Sequence, residues 1–505
     1  MPKFVGFGGK KVLEVRANRA HLLILSARPA PTPLFRILFV NSSPSSASLL
    51  SPEAARADLF DQSALTTLAE RLVEAARRAG ADAADAVAVR GISQGVEVRD
   101  GAVEESERSE GNDVGLRVLV GRRQAVVSTN DVSGDGVARL AERAVAMARV
   151  APDDQYVGLA DPALLARDFP ELDLLDPELP STSELERRAQ EAEAAALVVS
   201  GVTKSSGASA SAGIGGMVLV TSSGFHGAYL RSNHTISMTA ISGEGTGMER
   251  DYDYTTAPHA ADLASADSVG RTAGERAVAR ANPRKVETCE VPVVFDPRVS
   301  GSLVGHLVGA INGASIARKT SFLKDRLGEQ LFAREIRIVD DPLRKRGLRS
   351  QPFDAEGVKV KPLAIVDEGV LTSWLLDSAT GRELKMATTG HAHRGVSSAP
   401  SPGPYNLHLE AGQPTPAELI ADIKQGFYVT DLIGSGVNGV TGDYSRGASG
   451  FWIENGQITY PVSEVTIAGH LLEIFKSMTA ANDLKFIYGI NAPTVRIEGL
   501  TLGGR

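Results

Sequence analysis

The sequence predicts an α+β protein: N-terminal and middle α+β units with antiparallel sheets, followed by a larger β-rich C-terminal domain. Three observations carry this. A succession of helix, short strands and helix fills residues 59 to 150, and another fills 151 to 285. Asp100-Gly101 and Asn455-Gly456 are hairpin-turn pairs set between strand-forming runs. Residues 286 to 505 contain a glycine-rich run followed by β-branched and aromatic segments. A length of 505 residues agrees with about three domains.

Residues 1 to 58 read as a disordered extension. They are basic, and Pro29, Pro31 and Pro33 interrupt the apolar patches. A secretory signal fits poorly, because those patches are short and no clean cleavage site follows. The first unit opens with a helix over residues 63 to 79, where Leu65, Leu68, Leu72, Val73 and Ala76 have helical spacing and Gly80 supplies a C-cap. Strand runs are expected at 85–90, 95–99, 102–106, 115–120 and 124–128, with a helix over 136–147. Glu97, Glu104, Glu105 and Glu107 belong to an exposed strand face.

Residues 151 to 180 form a linker. A charged helix follows at 183–197 with Ser181 or Thr182 at its cap, then strands at 217–221, 228–231 and 235–243, and a helix over 268–281 ended by Pro283. His226 and His234 are expected on neighbouring strands as cross-strand or surface histidines, since no third ligand recurs at usable spacing. Glu249, Asp251 and Asp253 alternate with other residues but lack the Gly and Glu of a calcium loop, so a solvated loop is expected.

In the third unit, 291–295 is a buried strand and 300–316 a helix. Gly301, Gly305, Gly309 and Gly313 recur along one of its faces, which predicts close packing on another backbone. A hairpin turns at 367–369, a short helix covers 381–387, and a Pro416-led helix covers 415–425. Between them, residues 389 to 410 form a Pro/Ser/Gly loop long enough for a lid, with His391 and His393 at its start. The glycines from Gly434 to Gly450 rule out a strand interior and predict a loop. Within it, Asp443 and Arg446 are spaced for an ion pair or for gripping a peptide backbone. With Gly447, Gly450 and Trp452 they form the candidate substrate- or partner-binding loop. The following hairpin ends its second arm at Pro461; a third apolar run at 465–468 leads into a helix over 471–480.

Hydrophobic residues make up 43% of the chain and charged residues 23%, which is ample for a globular core. A net charge of −8 argues against a nucleic-acid-binding surface over the whole molecule. The single cysteine, Cys289, excludes an intrachain disulfide and fits a reducing cytoplasm. No apolar run approaches the roughly 18 residues of a membrane helix.

The stretch NGVTGDYSRGASGFWIENGQITYPVSEVTIAG resembles the C-terminal signature of the PmbA/TldE branch of the TldD/PmbA family. The segment SGSLVGHLVGAINGASIARKTSFLKDRLGEQLF adds to the resemblance, which runs from roughly residue 60 to the end. It implies a cytoplasmic hetero-oligomer with a TldD-like catalytic subunit, a metallopeptidase that cleaves peptides or unfolded protein segments. Such substrates include the leader peptide of a modified antibacterial peptide and a toxin's antidote protein. The family also carries an older label, modulator of DNA gyrase. In TldD a helix reading HExxxH and a late Cys hold the metal: the His ligands fix the ion, the Glu activates water, and one coordination position stays open. The positions here that correspond to His, Glu and His are Gly305, His306 and Ala310. No HExxxH occurs, and no Cys lies near residues 486 to 489. The resemblance therefore implies a non-catalytic partner without its own metal, the zinc or iron ion being held by the TldD-like chain. Two other readings remain: a self-sufficient metallopeptidase using His306 with His391 and His393, and a non-enzymatic adaptor of the gyrase-modulator type.

Overall fold

The computed structural model describes residues 61 to 505; the extension expected at 1–58 lies outside the described residues. The first helix, α1 (Ser63–Arg78), buries Leu65, Ala69, Leu72, Val73, Ala75 and Ala76 on one face. Three strands follow, β1 (Ala83–Arg99), β2 (Ala102–Val120) and β3 (Arg123–Thr129), and then α2 (Gly134–Val150). The same succession returns as α3 (Thr182–Leu197), β4 (Val202–Thr221), β5 (His226–Ser242), β6 (Glu249–Ala257) and α4 (Ala266–Ala279). The buried face of α3 consists of Leu185, Ala189, Ala192, Glu193, Ala195 and Ala196, matching α1 position for position at a constant interval.

These strands form one six-stranded sheet in the order β3-β2-β1-β4-β5-β6, continuous across residues 150 and 151. At its centre β1 and β4 run antiparallel, with Asp85 opposite Thr221 and Val98 opposite Ala208. The two halves thus meet through equivalent strands. All four helices cover one face: α1 and α2 pack on Ala84, Ala86, Ala88, Leu116 and Val118, while α3 and α4 pack on Val96, Val98, Ala210 and Met238. On the other face Val87, Leu219 and Phe225 meet Phe353 of the C-terminal part.

The strands outrun the sequence expectation. The expected runs at 85–90 and 95–99 are one strand, and β4 begins fifteen residues before the expected 217. Most of the intervening residues are small or polar and have little strand preference of their own, but β1 and β4 are paired on both sides, and that context overrides propensity. His226 and His234 lie on one strand, β5, rather than on neighbours. His226 faces Glu70 at 3.2 Å, and His234 is buried 3.4 Å from Asp176. Glu249, Asp251 and Asp253 are in β6, not in a solvated loop. Asp251 is buried because Arg298 at 2.8 Å and Arg280 at 3.7 Å neutralise it.

The C-terminal part begins with β7 (Cys289–Phe295), α5 (Pro297–Ile311) and α6 (Gly313–Ala317). Short elements follow: β8 (Ile338–Asp340), β9 (Leu363–Asp367), β10 (Val370–Leu371), α7 (Ser378–Leu384), β11 (Ala392–His393), β12 (Ser401–Pro402), β13 (Leu407–Leu409) and α8 (Pro416–Ile420). The chain ends with β14 (Gln425–Ile433), β15 (Asp443–Glu454), β16 (Gln457–His470), α9 (Leu471–Lys476), β17 (Thr479–Ala480), β18 (Ile490–Asn491) and β19 (Val495–Gly503). One sheet has the order β10-β9-β8-β13-β18. The other runs β16-β15-β14-β7-β19-β17, and β16 also pairs with β19, so five of its strands close on themselves. Leu303, Val304 and Leu307 of α5 share a core with Phe295, Phe427, Val429, Trp452 and Ile497 of that sheet.

Four expectations change here. Only the first half of the glycine-rich run is a loop; Gly447 and Gly450 lie inside β15. The ladder has register irregularities around Gly450, where a Cβ would stand 1.9 Å from the Tyr428 carbonyl oxygen. The glycine there admits a neighbouring backbone instead of breaking the strand. Pro461 lies within β16, its carbonyl accepting from Arg284 N at 2.8 Å, so the run at 465–468 continues the same strand. The expected helix over 471–480 ends at Lys476, and residues 479–480 pair with β19. Residues 389 to 410 are no lid: His391, Ala392, Tyr405 and Leu407 are fully buried and three short strands cross the segment. Asn455 and Gly456 both have positive φ, as a type I′ turn requires. Among the described residues, no helix is long and apolar enough to cross a membrane.

Candidate functional site

Helix α5 is built for two different sides. Asp296 caps it, accepting from Arg298 N at 2.9 Å, and Pro297 takes the first turn, where no N–H is needed. Leu303, Val304, Leu307 and Ile311 turn into the core. On the other side, Arg298 binds Asp251 of β6 at 2.8 Å, and Gly305 and Gly309 lie one and two turns beyond Ser302 on the same side. Close backbone packing occurs only at the two ends of the glycine series. Gly301 sits against the Ile490 carbonyl and Gly313 against the Leu375 carbonyl, but a Cβ at Gly305 or Gly309 would meet nothing within 4 Å. The middle of the helix therefore presents bare backbone to open space, a correction to the uniform packing expected.

His306 flanks this bare face. Its ring meets Tyr444 of β15 edge to face, with centroids 5.7 Å apart and planes at 74°. Tyr444 is 1% exposed, yet its hydroxyl has no hydrogen-bond partner; neither has the buried Nε2 of His306. Arg446 lies two residues along β15 from Tyr444, hence on the same side of the strand. Its Nη2 donates to the Leu432 carbonyl at 3.4 Å, its Nε has no partner, and among the described residues it forms no ion pair. Burial, with Arg446 adding repulsion, pushes the His306 imidazole down to about 4. Burial pushes the Tyr444 hydroxyl up to about 12 against the opposing pull of Arg446. At neutral pH the group thus comprises a neutral imidazole, a neutral phenol and one guanidinium.

The residues named from the sequence are only partly gathered. Gly305 and His306 border the open face, whereas Ala310 is 4% exposed and turned into the core, its carbonyl accepting from Ser321 Oγ at 2.6 Å. Asp443 accepts from Thr441 Oγ1 at 2.5 Å and forms no pair with Arg446. An odd separation places the two on opposite sides of β15. Gly447 and Gly450 are ladder residues, and Trp452 is a core residue. The candidate loop is thus a strand, and of its five residues Arg446 alone reaches the group around His306. Tyr444 went unnamed; its signal is its place two residues from Arg446 inside the signature stretch.

A metallopeptidase ion does not fit these residues. Gly305 and Ala310 offer no side-chain donor, His306 stands alone, and its neighbour Arg446 is a cation. His391 and His393 are no substitute: both rings pack at a tilt against Tyr405, with centroids 5.3 and 4.6 Å away, rather than converging with a third ligand. His391 donates from Nδ1 to the Thr389 carbonyl at 2.8 Å and turns Nε2 toward Asp340 at 3.4 Å. Among the described residues no three of His, Cys, Asp and Glu come together as a metal would require.

Three family models match the chain. They describe PmbA/TldA metallopeptidase domain 1 over residues 84–148, the central domain over 175–281 and the C-terminal domain over 288–504. The metalloprotease PmbA of Escherichia coli O157:H7 is 38% identical over 418 residues, covering 82% of this chain and 90% of that protein. A Bacteroides thetaiotaomicron protein described as a modulator of DNA gyrase has a crystal structure that superposes with a TM-score of 0.81. It is 25% identical and covers 88% of this chain and 99% of its own. TldE of Thermococcus kodakarensis shares the fold, with a TM-score of 0.78 at 18% identity over 86% of this chain and all of its own.

Proposed function

The chain belongs to the PmbA/TldD metallopeptidase family, and on that premise we propose that it is the non-catalytic subunit of a cytoplasmic two-chain peptidase. The observation that carries this reading is the trio Gly305, His306 and Ala310. At the places where a catalytic chain has ligand, base and ligand, two residues have no donor atom and the third sits beside a guanidinium. A zinc or iron ion, with its activated water, then belongs to a TldD-like sister chain bearing HExxxH. This chain contributes to binding peptides or unfolded segments and to shaping the site. The lone Cys289 accords with a reducing compartment.

Co-expression with an HExxxH-bearing sister chain tests the proposal. Peptide cleavage should require both chains, and elemental analysis of each should find the metal in the sister alone. One tightly held equivalent of zinc or iron in the isolated chain, lost on His306→Ala or His391→Ala, would sink the reading. Equal cleavage by the sister alone would sink it too.

A further inference from the structure

Strand β2 outruns its neighbour on one side. It pairs with β1 along its whole length, but β3 meets only Val114 to Val120. From Ala102 to Asp113 the N–H and C=O groups on its outer edge therefore have no strand beside them among the described residues. The side chains agree. Ala102 to Arg108 are exposed on both faces, whereas Val114 to Leu119 are buried. This free ledge is roughly 40 Å long, and it is braced from behind. β4 fixes the far side of β1, Val96 and Val98 of β1 lie in the core with α3, and Glu193 ties down the turn at Asp100 and Gly101.

The second half of the sheet shows what such a ledge takes. There β6 pairs with β5 only from His234 onward, which leaves a ledge before it. A linker stretch with no secondary structure of its own closes that ledge. Ser232 N donates to the Leu174 carbonyl at 2.9 Å, and Asp176 N donates to Ser232 Oγ at 2.6 Å. The occupant is a single stretch of chain, not the edge of another sheet. Among the described residues the β2 ledge has no such occupant.

Charge selects the occupant. Glu104 is paired with Arg99 at 3.1 Å and Glu110 with Arg108 at 2.6 Å. Glu105 and Glu107 point to the opposite face, since neighbours in a strand alternate. Among the described residues they form no ion pair, and Glu105 lies directly across from Glu97 of β1. Like charges placed opposite each other weaken a ladder. A further strand carrying Lys or Arg beside them turns that repulsion into attraction. A row of one sign also repels a second copy of the same ledge, which leaves a chain of opposite sign as its match.

We propose that the free edge of β2, from Ala102 to Asp113, binds an extended peptide with Lys or Arg at alternate positions, which joins the sheet as a further strand. The proposal rests on the reading of this chain as a peptide-binding subunit, and adds where a peptide lies and which side chains it carries. Main-chain hydrogen bonds to the ledge hold the extended segment, and Glu97, Glu105 and Glu107 select the basic ones.

The test uses the full chain alone and three fluorescein-labelled, C-terminally amidated peptides. One alternates Lys and Thr, one alternates Glu and Thr, and one is the Lys/Thr peptide N-methylated at every residue, which keeps the charge but cannot pair with a strand. Fluorescence anisotropy at pH 7.5 should show the plain Lys/Thr peptide binding at least tenfold more tightly than either of the others. Amide hydrogen exchange should slow on its addition within residues 102 to 113. The double variant Glu105→Gln/Glu107→Gln, altered at two exposed side chains, should keep its melting temperature and lose at least fivefold in affinity. No binding of the Lys/Thr peptide, or protection only outside 102 to 113, would overturn the proposal. Equal binding of the N-methylated form would reduce the ledge to a patch of charge and overturn strand addition. Undiminished affinity in the double variant would overturn the selection of basic peptides. No sister chain or metal enters these measurements, so their failure is distinct from failure of the co-expression assay.

Discussion

Asp85 offers the most decisive test of how the six-stranded sheet is tied to the C-terminal part. This residue is 2% exposed in β1 and accepts from two guanidiniums, Arg117 of β2, with Nε at 2.8 Å, and Arg394 of the segment after β11. Arg117 and Arg394 are themselves 3% and 9% exposed. Asp85→Ala would leave both cations buried without their shared counter-ion. Breaking a buried pair from one side destabilises by about 3–5 kcal/mol. Arg394→Met should cost less, about 1–2 kcal/mol, because Asp85 keeps Arg117, and two of the three guanidinium nitrogens of Arg394 already lack partners. Urea unfolding followed by two probes makes the comparison. Trp374 and Trp452 are both buried in the C-terminal core, so tryptophan fluorescence reports that part, while far-UV circular dichroism reports the whole. Asp85→Ala should lower both midpoints and separate them, the dichroism transition moving further. The two arginines outweigh burial and hold the Asp85 carboxyl below its usual value. Its contribution is therefore fully present above the unfolded carboxylate pKa of about 3.9 and is lost as pH falls below that through the folded value. Between pH 5 and 8 the difference between wild type and Asp85→Ala should be flat. A loss under about 1 kcal/mol, or an equal loss in Arg394→Met, would refute the reasoning.

Three further outcomes are expected. Gly450→Val should destabilise by about 3 kcal/mol or prevent folding, since its Cβ meets the Tyr428 carbonyl, while Gly447→Ala, whose nearest neighbour is Ile433 at 3.4 Å, should melt like wild type; thermal melts of the pair settle it. Glu193, buried in α3, accepts from the backbone of Asp100 and Gly101 at 2.9 and 2.7 Å, so Glu193→Ala should lose about 2–4 kcal/mol in urea unfolding and raise amide exchange at that hairpin, and unchanged exchange would count against the clamp. His306 has its folded pKa lowered to about 4, so the unfolded chain takes up a proton that the folded one refuses as pH falls from about 6.5. Stability should fall through that window by up to about 3 kcal/mol more in wild type than in His306→Phe, and parallel stability curves between pH 7 and 5 would contradict the assignment.

What the sequence shows depends on how local the cause is. Helices α1, α3 and α4 are legible because an apolar stripe and a cap lie within a few residues, and Asn455-Gly456 is legible because its turn type is a property of two residues. The middle of β4, from Ser205 to Gly216, is illegible because its small residues become strand only through β1 on one side and β5 on the other. Gly450 misleads for the same reason: a glycine that loosens an isolated chain is, inside the ladder, the residue that lets Tyr428 come close. At the candidate site, Gly305, His306 and Ala310 are found through their places in a helix, but the openness over Gly305 and the nearness of Tyr444 and Arg446 depend on how β15 lies beside α5. Asp251 looks solvated in the sequence because its counter-ions come from later in the chain, Arg280 just after α4 and Arg298 in the first turn of α5.

The pairing of β1 with β4 has a consequence for the chain as it leaves the ribosome. When synthesis has reached α2, the first half has its two helices and its β1-β2-β3 meander, but β1, the strand destined for the middle of the sheet, is still an outer rail with unpaired N–H and C=O groups. Its proper neighbour arrives only after the linker and α3 have been made. In that interval the nearest object of matching shape is the same half of another nascent copy, since the edge that β4 will offer is related to the edge of β1 itself. Two unfinished chains on one messenger could zip together rail to rail, antiparallel, in imitation of the completed sheet. A polypeptide truncated near residue 150 should therefore be recovered as a dimer or as aggregate, and addition of the missing half in trans should compete for the same rail.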